Sequence, residues 1–94
     1  MHHIFAIIDI SKRRIHLSRE RWAHIQKHPE MSDQIEAIKE TLQQPDEITN
    51  FSHDDSVRFY YKYYKENRTY LFISVKYLNG KGFIITSFYT DKVR

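Results

Sequence analysis

The sequence predicts an α+β fold in which two successive helices pack on one face of an antiparallel sheet. Three observations carry this. Apolar residues recur at helical spacing between Trp22 and Leu42, the pattern turns to alternation after Ser56, and Asn79-Gly80 separates two apolar runs as a tight hairpin turn requires. Helices followed by a strand meander bury their apolar stripes on one sheet face, which leaves the other face free for a substrate.

The elements follow in order. Ile4 to Ile10 is apolar and β-branched, as a buried strand would be, although so short a run does not by itself exclude a helix. Ser11-Lys12-Arg13-Arg14 makes a polar turn, and Ile15-His16-Leu17 continues as a short strand. Ser18 is a good N-cap, Glu20 suits the first turn of a helix, and Trp22 and Ile25 form its apolar stripe, so the first helix runs from about Arg19 to His28. Ser32 caps a second helix in which Ile35, Ile38 and Leu42 face inward and Asp33, Glu36, Lys39 and Glu40 face water, and Pro45 ends it. A short strand at Ile48 leads to a loop at His53-Asp54-Asp55. From Arg58 to Lys65 the chain alternates, with Phe59, Tyr61 and Tyr63 on one face and Arg58, Tyr60, Lys62 and Tyr64 on the other. Glu66-Asn67-Arg68 turns into a strand over Thr69 to Tyr77, and Lys81 to Thr90 closes the sheet. The expected core is Trp22, Ile25, Ile35, Ile38, Leu42, Ile73, Val75 and Phe83. Both alternating sets hold aromatics, so the pattern leaves open which sheet face is buried.

Ninety-four residues, 40% hydrophobic and 29% charged, describe one soluble domain over 1–94 with a core of its own. The lack of cysteine excludes disulfides, thiol nucleophiles and thiolate metal sites, and fits a reducing, cytoplasmic setting. The N-terminal apolar run is far shorter than the roughly 20 residues of a membrane span, and no signal peptide is recognisable, so no membrane association is expected. A formal charge of +3 and a pI of about 9.2 favour polyanionic partners. Seven tyrosines crowd the second half of the chain beside Lys and Arg, a composition that suits either a single-stranded nucleic acid or a tyrosine-rich core.

Trp22-Ala23-His24-Ile25-Gln26-Lys27-His28-Pro29-Glu30 sets two histidines at i and i+4, which on a helix brings their Cβ atoms to roughly 5–6 Å. Pro29 ends the helix and places His28 near its C-terminus, where the dipole favours positive charge, so the two imidazoles occupy unequal environments. Such a pair suits general acid–base chemistry.

The run Leu17-Ser18-Arg19-Glu20-Arg21-Trp22-Ala23-His24-Ile25, the His28-Pro29-Glu30 triplet, the helix exit Thr41-Leu42-Gln43-Gln44-Pro45-Asp46-Glu47-Ile48 and the closing Ile84-Ile85-Thr86-Ser87-Phe88-Tyr89 resemble phage-associated nuclease domains. These belong to the barnase, EndoU, colicin-nuclease and RelE-like superfamily, the BECR fold. The resemblance spans Ile15 to Thr90, with motifs on four elements in the expected order. It implies cofactor-free, metal-independent RNA cleavage on the exposed face of an antiparallel sheet. It also implies a site at the helical histidines and the polar positions of the last strand, here His24, His28, Thr86 and Ser87.

Attack by a 2′-hydroxyl needs a base, an acid and donors for the charge on phosphate. On this reading His24 is the base and His28 the acid. Arg21, at i−3 from His24, is a phosphate clamp. Thr86 and Ser87 point to opposite sheet faces, so only one lines the site. Arg58, Tyr60, Lys62, Lys76 and Tyr89 are candidates for an RNA platform, or else an ordinary sheet surface. Two alternatives stand beside this. His24-x-x-x-His28 has zinc-ligand spacing, but Ile25 stands where a metalloprotease carries glutamate, and a third ligand would have to come from His53, Asp54 or Asp55. A non-catalytic module of the same fold would only bind RNA, or would be a toxin met by an antitoxin or immunity protein.

Overall fold

In the computed structural model, which describes residues 3–93, the chain forms strands β1 (His3–Ile8) and β2 (Arg14–Ser18), helix α1 (Arg19–Ile25), a 3₁₀ turn (Pro29–Met31), helix α2 (Ile35–Gln43) and strands β3 (Glu47–Asn50), β4 (Val57–Tyr64), β5 (Thr69–Leu78) and β6 (Lys81–Thr90). The six strands make one sheet in the order β1-β2-β6-β5-β4-β3.

Ser18 caps α1 as expected, its Oγ accepting from the Arg21 backbone N–H at 3.1 Å. The helix is shorter than the periodicity suggests. After Gln26 donates to Trp22 O, Lys27 and His28 donate to His24 O and Ile25 O, which tightens the last turn, and Pro29 holds His28 extended at φ −85°, ψ 110°. Helix α2 begins at Ile35 rather than just after Ser32, because Ser32 closes the 3₁₀ turn by donating its N–H to Pro29 O.

Every strand pairing is antiparallel except β2 with β6, which is parallel at Ile15↔Gly82 and His16↔Phe83. The sheet is therefore mixed, which corrects the antiparallel expectation. Apolar alternation records faces and not directions, and the long helical crossover after β2 is the kind of connection a parallel neighbour needs. Gly82 sits where β2 arrives. A Cβ there would lie 2.5 Å from Ile15 Cδ1 and 3.0 Å from Tyr77 Cε1 and Val75 Cγ1. Gly82→Ala is expected to lower stability by about 1–3 kcal/mol through overpacking, read as an earlier urea midpoint with an unchanged slope; an unchanged midpoint would mean that the seam repacks freely.

The core gathers Leu71, Ile73 and Val75 of β5, Tyr60 of β4, Ile84 of β6 and Ile15 and Leu17 of β2 with Ile25, Met31, Ile38 and Leu42 from the helical segment. Trp22 and Ile35 pack partly buried against it. The sheet face carrying these residues is the inner face. Phe83 was expected there and lies instead on the outer face, stacked at 6.0 Å on His16. The register slips between Ser74↔Thr86 and Val75↔Ile84, so Ile85 is an extra residue that reverses the alternation before it.

The β1–β2 connection is organised by Asp9, only 3% exposed. Its carboxylate accepts from Ser11 N (3.0 Å), Ser11 Oγ (2.7 Å), Arg13 N (3.1 Å) and the hydroxyls of Tyr60 and Tyr77. The Arg13 and Arg58 guanidiniums lie 4.7 and 5.5 Å from the Tyr77 ring centroid.

Candidate active site

Pairing register sorts the β4 and β5 side chains. Tyr60, opposite Ile73, and Lys62, opposite Leu71, share the inner face, whereas Phe59, Tyr61 and Tyr63 share the outer face with Ser74, Phe72 and Tyr70. On β6, Thr86 and Phe88 pair with Ser74 and Phe72 and so face outward, while Ser87 pairs with Ile73.

A line of touching rings therefore crosses the outer face. It runs from Phe51, after β3, to Phe59 on β4 (5.5 Å between centroids), Phe72 on β5 (5.1 Å) and Phe88 on β6 (4.8 Å), and ends on His28 at 5.8 Å. His28 is exposed and reaches Phe88 because its extended backbone leads the chain out of α1. At the other end of the line the rings floor a cleft of about 540 Å³, with Asn50, Ser52, His53, Thr90 and Lys92 around it.

The sequence-derived residues fall in several places. His24 is exposed in the last turn of α1, and His28 lies past the helix end, so the two do not share one helical face and the helix C-terminus belongs to His24. Thr86 faces outward. Ser87 is fully buried, and its Oγ donates to Phe72 O at 2.8 Å, which removes it from any solvent-facing site. Arg21 is exposed on α1.

The expected RNA platform needs correction. Tyr60 is fully buried, with its hydroxyl on Asp9 and Tyr77; burial, followed by those hydrogen bonds, pushes its pKa far up, so it stays a neutral donor. Arg58 stacks on Tyr77, and Lys62 donates to Gln44 O at 3.0 Å. Tyr89 packs against the core and donates to Gln34 Oε1 at 2.5 Å. Lys76 does lie on the outer face, where it pairs with Asp54 at 2.8 Å; that hydrogen bond, with those from Ser56, holds the Asp54 carboxyl far below the usual carboxylate range. Of the platform residues, Lys76 alone shares the face of the ring line.

The sequence reading puts Phe59 on a sheet face and Phe88 in the closing strand, but assigns none of Phe51, Phe59, Phe72 and Phe88 to the site. The signal for them was in β5, where Leu71, Ile73 and Val75 form a purely aliphatic set that identifies the buried face and leaves Phe72 and its partners outside. His16 on β2 stacks on His3 at 4.2 Å; burial, then the charges of His3 and Arg14, lowers its pKa. As for the zinc alternative, among the described residues no three His, Cys, Asp or Glu side chains come together to hold a metal.

The phage-Barnase-EndoU-ColicinE5/D-RelE like nuclease 2 family, PBECR2, matches residues 5–94. The chain belongs to that family. Comparison with curated proteins and with solved structures returned no match. Membership of PBECR2 makes this a nuclease domain of the BECR type, with the α+β architecture described above. Among the described residues no helix is long and apolar enough to cross a membrane.

Proposed function

We propose that this PBECR2 chain is a single-domain, metal-independent endoribonuclease whose site lies where His28, between α1 and the 3₁₀ turn, meets the outer face of β6. The observation that carries the reading is the His28 ring against Phe88, which sets an exposed imidazole at the end of an aromatic surface. Both helices feed the inner-face core, so the outer face is left for RNA. In the step we propose, the 2′-oxygen attacks the adjacent phosphorus while His24 takes its proton. His28 gives a proton to the departing 5′-oxygen, so the products are a 2′,3′-cyclic phosphate and a 5′-hydroxyl. Thr86 on the outer face and Arg21 on α1 supply donors for the phosphate oxygens. A protein that covers this face would act as an antitoxin or immunity partner.

Incubation of the purified protein with single-stranded RNA in excess chelator tests the reading: fragments with cyclic or 3′-phosphate ends are expected. RNA binding without cleavage would identify a non-catalytic module, and loss of cleavage with chelator would return the chemistry to a metal.

Binding is also expected to fall with salt. Each phosphate contact on a single strand contributes a slope of about −0.7 in log affinity against log salt. Arg21 and Lys92, with Lys76 already paired to Asp54, thus predict a loss of about fivefold between 50 and 150 mM salt. A flat response in a fluorescence-anisotropy titration would point to a neutral ligand or a protein partner.

A further inference from the structure

We infer that the cleft beneath the 51–53 loop is a nucleobase subsite that takes one unpaired base of the RNA and so restricts the enzyme to single strands. The inference rests on the ribonuclease reading above and adds to it the element that chooses the substrate. Phe72 and the fully buried Tyr61 form the floor, and the half-exposed Phe51, Phe59 and Phe88 present ring surface into the cleft. A volume of about 540 Å³ lies within the range of roughly 300–1,000 Å³ usual for small-ligand sites.

The chemistry of the lining favours a base over another apolar group. Phenyl rings offer flat π-faces and no hydrogen bonds, the surface on which bases stack with little regard to sequence. The polar groups sit around these rings, and the charge there is cationic: Lys92 lines the cleft beside His53, and no carboxylate is among the lining residues described. A nucleotide needs that arrangement, an apolar bed for the base and positive charge where the phosphate emerges. A neutral apolar peptide side chain would use the bed but not the cation.

The ring line also relates the subsite to the reaction. Phe88 belongs to the cleft and touches His28, so a base held on Phe72 and Phe88 keeps its own backbone beside the imidazole. A base inside a duplex has both faces already stacked and cannot enter. Because the four phenylalanine rings offer only π-faces, the preference they impose follows stacking area, purine over pyrimidine.

The test uses a short 2′-O-methyl oligouridylate with one 2-aminopurine, which cannot be cut because the attacking hydroxyl is blocked. Binding should quench the 2-aminopurine fluorescence. Phe51→Ala should weaken binding about tenfold, an effect in the range of a lost base–aromatic stack, and Phe51→Tyr should restore it. An abasic site in place of the 2-aminopurine should cost the wild-type protein a similar factor and the Phe51→Ala protein almost nothing more. Absence of quenching, losses that multiply, or equal affinity for duplex RNA would overturn the subsite. Because the probe is uncleavable, a protein that meets these expectations yet cuts no RNA would refute the ribonuclease reading and leave the subsite standing.

Discussion

Replacing His28 by alanine is expected to lower RNA cleavage by about 10²- to 10⁴-fold, the range that a positioned acid or base contributes. The fold should be retained, because His28 is exposed and surface substitutions of this kind change stability by roughly 0.5 kcal/mol or less. His24→Ala should cost a similar factor. The double variant should be little worse than either single one, because an acid and a base that act in one step are not independent. Wild-type cleavage should follow a bell-shaped pH profile, and each single variant should flatten one limb of it. Chelator should change none of these rates. Single-turnover cleavage of a labelled RNA measures all of this, and full activity in the double variant would move the chemistry to the His53 and Lys92 end of the ring line.

The residues that fix these expectations were not equally legible. Local chemistry read well: Ser18 caps α1, Pro29 ends it, and Asn79 and Gly80 take the positive φ of 56° and 79° that a two-residue hairpin turn demands. Alternation also read well, and it separated Phe59 and Tyr61 from Tyr60 and Lys62 correctly. What it lacked was a sign. Charge suggested that the face of Arg58, Tyr60 and Lys62 was the open one, whereas Tyr60 is held inside by Asp9 and Tyr77, and the two cations are engaged by a ring and a backbone carbonyl. Long-range partners such as Asp9, fifty-one positions from Tyr60, leave no periodic trace. The bulge at Ile85 defeated alternation for the same reason, since one extra residue sends Phe83 outward without altering composition. Thr86 and Ser87 were correctly put on opposite faces, and only the pairing of Ser87 with Ile73 decides between them.

Asp9→Ala is expected to lower stability by about 3 kcal/mol, because hydrogen bonds to a buried charge are worth about 1.5–3 kcal/mol each and their donors are left behind when it goes. Those donors are the Ser11 and Arg13 backbone N–H groups, the Ser11 hydroxyl and the hydroxyls of Tyr60 and Tyr77; the last two retain each other, which limits the loss. The effect should depend on pH in a defined direction. Burial raises the Asp9 pKa, but the bonds from Tyr60, Ser11 and Arg13 together outweigh it and hold the folded-state value below the ordinary 3.8. A carboxyl depressed in the folded state stabilises the fold fully above its unfolded value, and the contribution disappears as pH falls through the folded one. The difference between wild type and Asp9→Asn should therefore be constant from neutral pH down to about pH 5 and shrink below about pH 4. Taking that difference removes the separate acid sensitivity of Asp54, which both proteins share. Urea unfolding at several pH values gives the curve; a difference that stays level through the acid range would mean that Asp9 acts by shape and not by charge. In either case the substitution strikes the inner face, so His28 and the ring line should keep their RNA chemistry at temperatures where the variant remains folded.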